Sequence, residues 1–313
     1  MAPVTGTLTT PDGIRLAWHD HTPGRGDGRT PGGGPTPRRT LLLLHGLAGH
    51  QGEWDDLLSP LLADGHRVVT YDARGHGAST RRPADMSRAA CVRDVVTVVQ
   101  GLGLTAQEGR LGLAAKERRQ SPLTLVGQSL GGHTAFLAAA AHPELVSALI
   151  LIEAGPSAPD PTLPAHIAAW MDSWPTPFDS PSRATEFFGH RSWSHNLEQR
   201  HDGWHPRPDR ATMLAAIEEL AQTPYAPEWA STTCPTLVVR GAHGTMPEAD
   251  AVRMPTSRPP GTRTDLTVIE DAGHDVHLDQ PHRLHSAMAD FLDSLDSLAD
   301  GLPRAEPPAD ARG

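Results

Sequence analysis

Cysteine is scarce in this 313-residue chain, Cys91 and Cys234 being the only two. Their spacing carries no metal-ligand pattern, and one possible pair is too little for a disulfide framework, so both are expected as buried free thiols. Positive charge is short as well. The 27 lysines and arginines against 37 acidic residues leave a formal net charge of −10, which speaks against a nucleic-acid backbone or an anionic membrane surface as partner. No stretch approaches the ~20 apolar residues of a membrane span. The first residues, MAPVTGTLTTPDG, lack a basic n-region and an apolar h-region, and the expectation is a cytoplasmic protein. Phosphate-cradling glycine loops, dinucleotide fingerprints and metal clusters are missing too. His201 and His205 lie four apart, but the intervening glycine and Pro206 argue against one helix presenting both. No cofactor and no metal are expected.

The length suits one large catalytic domain with an inserted subdomain. Pro11-Asp12-Gly13 separates two short alternating runs, Val4 to Thr9 and Ile14 to His19, and predicts a β-hairpin at a sheet edge. Residues 22–39, dense in Gly, Pro and Arg, predict a flexible loop, and residues 301–313 a disordered tail. From Thr40 onward short apolar runs alternate with helical segments, the pattern of buried parallel strands with crossover helices. Six strands are predicted at Leu41 to Leu44, Arg67 to Tyr71, Leu123 to Val126, Leu149 to Ile152, Thr236 to Val239 and Leu266 to Ile269. Helices are predicted near Trp54 to Ala63, Arg88 to Leu102, Gly131 to Ala141 and His282 to Leu298, with an exposed segment over Thr105 to Gln120. The fold class is α/β: a mostly parallel sheet of about eight strands flanked by helices, with residues 1–159 and 231–300 as core.

Residues 160–230 break this alternation and predict an inserted helical lid. Nine of the chain's fourteen aromatics fall there, Trp170, Trp174, Trp193, Trp204 and Trp229 among them. Large amphipathic rings suit the roof of an apolar pocket, and Trp170, Trp174, Trp193 and Trp204 are the candidate pocket residues. The same rings could equally serve to hold a small lid together.

The chemistry centres on Gly127-Gln128-Ser129-Leu130-Gly131, a G-x-S-x-G pentapeptide between an apolar strand and the Ala-rich helix HTAFLAAAAH. A serine on a sharp strand-to-helix turn projects its hydroxyl outward, and the helix N-terminus favours developing negative charge. Upstream, the strand Leu41 to Leu44 opens directly into His45-Gly46-Leu47-Ala48-Gly49, and the next strand ends in Tyr71-Asp72-Ala73-Arg74-Gly75-His76-Gly77-Ala78-Ser79. With these three motifs the chain resembles the α/β-hydrolase superfamily over nearly all of Leu41 to Leu298. The resemblance implies Ser129 as nucleophile, the Leu47 and Leu130 amides as oxyanion hole, and His45 as a structural residue of its turn. It also implies His274 as general base, because Asp271-Ala272-Gly273-His274 follows the last strand, whereas His277, His282 and His285 are further along.

The acid departs from the common pattern. Many relatives carry it in a G-x-x-D turn, where this chain reads Gly241-Ala242-His243-Gly244. Glu153, at the end of Leu149 to Ile152 and 24 residues after Ser129, is the preferred replacement, since catalytic groups of open α/β sheets gather at the carboxyl ends of strands. Glu248 and Asp250 stand as alternatives, and a chain without a working acid as a third. A serine nucleophile implies acyl chemistry on a small apolar substrate, an ester, lactone or thioester being the first expectation. Another acyl reaction at the same site and a ligand-binding role remain open. Neither nucleic acid nor membrane is expected as partner, and the oligomeric state is not legible.

Overall fold

At Pro11-Asp12-Gly13 the chain turns back on itself, with Gly13 at φ +83°, and the flanking runs pair as antiparallel strands β1 (Val4–Thr9) and β2 (Arg15–His21). This is seen in a computed structural model of the chain, which describes residues 2–22, 37–105, 122–156 and 160–300. The expectations for residues 23–36, for most of Thr105 to Gln120 and for the tail 301–313 lie outside the described residues.

The hairpin edges an eight-stranded sheet whose other members are β3 (Thr40–Leu44), β4 (Arg67–Tyr71), β5 (Leu123–Gln128), β6 (Ala148–Ile152), β9 (Thr236–Gly241) and β10 (Thr264–Ile269). The order is β1-β2-β4-β3-β5-β6-β9-β10. β2 meets β4 antiparallel, and every later pairing is parallel. The missing numbers belong to a separate two-stranded hairpin, β7 (Leu197–Arg200) and β8 (Gly203–Pro206).

Three helices follow strands of the first half: α1 (Asp55–Ala63), α2 (Arg88–Gly101) and α3 (Leu130–Ala141). Between β6 and β9 the chain leaves the sheet for α4 (Leu163–Asp172), α5 (Pro181–Phe188), α6 (Arg191–His195), the β7–β8 hairpin, α7 (Arg210–Glu218) and α8 (Ala226–Ser231). The insertion is therefore not wholly helical. Asp202 and Gly203 favour a tight turn where the helical pattern stops, and Phe178 exchanges backbone hydrogen bonds of 2.8 and 2.9 Å with Trp204. After β9 come α9 (Glu248–Arg253), α10 (Val276–Asp279) and α11 (Pro281–Asp300).

The continuous apolar runs of the strands reflect burial on both sides. Leu42 and Leu44, Leu149 and Leu151, and Val238 face one cluster with Val95 and Val98 of α2, Phe136 of α3 and Trp229 of α8. Leu41 and Leu43, Ile150 and Ile152, and Val239 face the other, with Leu57 and Leu61 of α1 and Leu284, Met288 and Phe291 of α11. A period of two with both faces covered is what parallel sheets require. Trp229 thus belongs to the core: its indole N–H donates to Ser257 Oγ (3.0 Å), and the Arg258 guanidinium lies 4.6 Å from its ring. Both cysteines are free. Cys91 is buried, but Cys234 is only half-buried, because it precedes β9 at the sheet margin.

Among the described residues no helix is long and apolar enough to cross a membrane.

Candidate active site

Parallel pairing brings four strand ends to one rim of the sheet. Gln128 pairs with Ile152, Ile152 with Val239, and Gly241 with Ile269. Ser129 and Glu153 are consequently the first residues beyond adjacent strands, while Thr245 and His274 sit in the loops after β9 and β10. The Ser129 amide donates to the Ile152 carbonyl (2.9 Å), and the Glu153 amide to the Val239 carbonyl (2.8 Å).

Ser129 has φ +49° and ψ −118°, a backbone strain costing about 1–3 kcal/mol that persists only where the surroundings impose it. Close approach imposes it here. A Cβ on Gly131 would lie 2.2 Å from the Leu44 carbonyl oxygen, so only glycine lets α3 start against the end of β3. Leu130 is the first residue of α3, and its amide has no carbonyl to reach within the helix.

Two neutral histidines hold the His-Gly turn. His45 accepts from the Ala73 amide at Nε2 (3.0 Å) and donates from Nδ1 to the Gly46 carbonyl (2.8 Å). His76 accepts from the Ala48 amide at Nε2 (3.1 Å) and donates from Nδ1 to the Arg74 carbonyl (2.8 Å). Burial lowers both, His76 to about 3, which keeps each ring able to accept. The family-like turn also fixes Arg74, whose guanidinium makes two 2.6 Å bonds to the buried Asp94 carboxylate.

Glu153, itself at φ +49°, is enclosed by the loop after β9. Its Oε1 accepts from the Gly241 amide (2.8 Å), and its Oε2 from the amides of Thr245 (2.7 Å) and Met246 (3.0 Å). His274 Nδ1 lies 3.3 Å from Oε2. Burial alone would raise the Glu153 carboxyl, but the hydrogen bonds from His274, Met246 and Gly241 outweigh it and hold the group below the usual glutamate value. A Cβ on Gly244 would lie 2.0 Å from Oε1 of Glu153, so the carboxylate occupies the space in front of the position where the sequence lacks an aspartate.

Two contributors have no sequence signature. Thr245 Oγ1 is 2.8 Å from His274 Nδ1, nearer than the carboxylate. Gln128 Nε2 donates to the His274 carbonyl (3.1 Å), tying the His274 loop to the end of β5. The alternative acid Asp250 pairs instead with Arg253 on α9, and Glu248 begins that helix.

A cavity of about 650 Å³ joins these groups. Ser129, Leu47, Leu130, Glu153 and His274 line it from the core, Trp170 and Trp193 from the insertion. Trp174 and Trp204 are not among its lining residues. Trp174 is buried against Ala48, Met171 and Met213, with its ring 5.2 Å from Phe188 and 4.9 Å from Trp170, so packing within the insertion consumes it. Trp204 is held in the β7–β8 hairpin. Periodicity cannot distinguish a ring that faces a cavity from one that packs on its neighbours. His201 and His205 are in the same hairpin region, His205 bonded to Asp202 (2.9 Å), and among the described residues no cluster of potential metal ligands occurs.

Comparison with known proteins agrees with this architecture. The chain is 26% identical over 268 residues to the sn-1-specific diacylglycerol lipase ABHD11 of Mus musculus, covering 80% of each chain. Among solved structures, E-2-(acetamidomethylene)succinate hydrolase superposes with a TM-score of 0.73 at 18% identity, over 93% of this chain and 99% of that one. A thermophilic esterase from Thermogutta terrifontis gives 0.66 at 23%, over 93% and 99%. These two likenesses concern the fold. The model of the alpha/beta hydrolase family matches residues 41–287, and the chain belongs to that family.

Proposed function

We propose that this hydrolase is a serine hydrolase acting on a carboxylic ester, lactone or thioester with an apolar group. Ser129 attacks the substrate carbonyl while His274 takes its proton, and the Leu47 and Leu130 amides receive the developing oxyanion. His274 returns the proton to the leaving group and then activates the water that releases the acyl group from Ser129. Glu153 orients the imidazole and stabilises its cation. The observation that carries the reading is the Glu153 carboxylate beside His274 Nδ1, in a cavity that Ser129 shares. A lipase and an esterase among the similar proteins point the same way.

The test is a burst assay with p-nitrophenyl esters of increasing acyl length. Ser129→Ala should lose activity by about 10⁴-fold or more, and Glu153→Gln should fall with it while Asp250→Asn stays near the parent. An active Glu153→Gln beside a dead Asp250→Asn would move the acid to Asp250; absence of turnover in the parent chain would refute ester hydrolysis.

A further inference from the structure

One short segment of the insertion, α6 with its flanking residues, reaches the loops of the core on which the site depends. Asn196, directly after α6, is buried, and its Nδ2 donates to the Ala48 carbonyl (3.1 Å) and lies 3.5 Å from the Gly49 carbonyl. His50 Nε2 donates to the Ser192 carbonyl within α6 (2.9 Å), while its Nδ1 accepts from the Gly52 amide (3.2 Å). Directly before α6, His190 Nε2 is 3.0 Å from Asp279 Oδ1, and the second oxygen of that carboxylate accepts from the Gly273 amide (2.7 Å), one residue ahead of His274.

These ties converge on Ala48. Its φ is +61°, a left-handed backbone that crowds Cβ against the following carbonyl and that a residue with a side chain leaves unless it is held. Both of its peptide groups are held. The amide donates to His76 Nε2 of the core (3.1 Å), and the carbonyl accepts from Asn196 of the insertion. Packing repeats the pattern, since Leu47 and Ala48 share an apolar cluster with Met171, Trp174, Met213 and Trp193, all of the insertion. Two backbone oxygens are met by the nitrogen end of a side-chain amide, a role that neither an ionised aspartate nor an apolar residue can fill.

We propose that Asn196 is a positioning residue for the reaction: it holds Ala48 in its left-handed conformation and thereby aims the neighbouring Leu47 amide at the oxyanion, so that the site is complete only while α6 is docked. Resting on the serine-hydrolase reading, the inference adds to it a role for the insertion beyond covering the cavity. Once the Ala48 carbonyl is released, φ can return to negative values and the peptide plane joining Leu47 to Ala48 turns with it. The Leu47 N–H, one peptide earlier, changes direction in the same relaxation. Substrate still binds in that state, and the loss falls on the charge that develops in the transition state.

The experiment uses the full chain, a p-nitrophenyl ester and three variants, Asn196→Ala, Asn196→Asp and Arg82→Gln. The last breaks a different tie between core and insertion, the ion pair of Arg82 with Asp209. Asn196→Ala should lower kcat about 10- to 100-fold with KM within about two-fold of the parent, and Arg82→Gln should match the parent in both. In Asn196→Asp the new carboxyl, raised by burial beside carbonyl oxygens, can donate to Ala48 only when protonated. The ratio of its kcat to the parent's should therefore rise as pH falls, because the titration of His274 is common to both chains and cancels. A readout that needs no substrate is amide hydrogen exchange over residues 46–50, expected about ten-fold faster in Asn196→Ala and unchanged in Arg82→Gln.

Ser129-dependent turnover with an unchanged kcat in Asn196→Ala overturns the positioning role and leaves the hydrolase reading standing. A fall of the same size in Arg82→Gln, or a rise of KM in place of the fall in kcat, does so too, because either marks a general loosening of the insertion. Where Asn196→Ala does not fold, the pH ratio of Asn196→Asp decides, and a flat ratio overturns the proposal. Faster exchange over residues 46–50 in Asn196→Ala, with no ester turned over by the parent, overturns the reaction while the tie between Asn196 and the turn holds. Neither turnover nor a change in exchange overturns both.

Discussion

Gly244 and Glu153 divide one volume between them: any Cβ at 244 would fall 2.0 Å from Oε1 and 2.4 Å from Oε2 of the glutamate. The missing side chain after β9 and the extra carboxylate after β6 are thus complementary. An acid that reaches His274 from β6 needs the turn after β9 to be bare, and glycine is the residue that leaves it so.

On the serine-hydrolase reading proposed above, this makes the acid transferable. Gly244→Ala should push the Glu153 carboxylate from its amide cradle and reduce kcat/KM by about ten-fold or more. Gly244→Asp alone should do no better, because two carboxylates would compete for one space. Combined with Glu153→Ala, however, Gly244→Asp should recover part of the activity lost in Glu153→Ala. Steady-state kinetics on the four chains decide the matter, and a double variant no better than Glu153→Ala alone would count against the shared-space account.

Thr245 bears on the same imidazole. Its hydroxyl is 2.8 Å from His274 Nδ1, against 3.3 Å for the carboxylate, so it can share the Nδ1 proton and fix the ring's orientation. Thr245→Val should lower kcat by about ten-fold with little change in KM and shift the acid limb of the pH–rate profile, while Thr245→Ser should stay close to the parent. A Val variant with an unaltered profile would make the threonine a packing residue.

Glu53 makes the fold sensitive to pH in a definite direction. Burial raises its carboxyl from the ordinary 4.5 to about 7, so the folded protein holds this proton over a range where the unfolded chain has released it. Below pH 4.5 the group is neutral in both states and costs nothing electrostatically. Stability then declines as pH rises to about 7 and stays lower above it. A shift of this size corresponds to about 3 kcal/mol at most. Relative to the parent, Glu53→Gln should therefore gain in denaturant midpoint between pH 5 and 7 and level off beyond. A constant difference across that range would place the titration elsewhere.

The two neighbouring tryptophans of α4 and its end should separate by phenotype. Trp174 is 8% exposed and packed within the insertion, whereas Trp170 is 37% exposed and lines the cavity. Trp174→Ala should cost about 3–5 kcal/mol of stability, read as a lower thermal midpoint. Trp170→Ala should leave the midpoint within a degree or two and raise KM for apolar esters instead. Equal losses of stability in both would argue that the rings act only as one packing unit.

Much of this was legible in the residues themselves. Apolar runs such as Leu41 to Leu44 and Ala148 to Ile152, buried on both faces, announce parallel strands because no amphipathic alternation is needed there. The pentapeptide around Ser129 is local for the same kind of reason: a strained turn between strand and helix demands glycine within a few positions of the serine. The sequence by itself therefore determined the sheet, the strand-to-helix turn at Ser129, the His-Gly turn and the position of His274. Tertiary structure alone decided the rest. Whether Glu153, Glu248 or Asp250 faces the histidine depends on how β6, β9 and β10 lie side by side, and the closeness of Thr245, Gln128 and Glu53 to the cavity depends on residues far apart in the chain. Which tryptophans line that cavity and which support it is set by helix rotation within the insertion, since ring size and hydrophobicity are the same in either place.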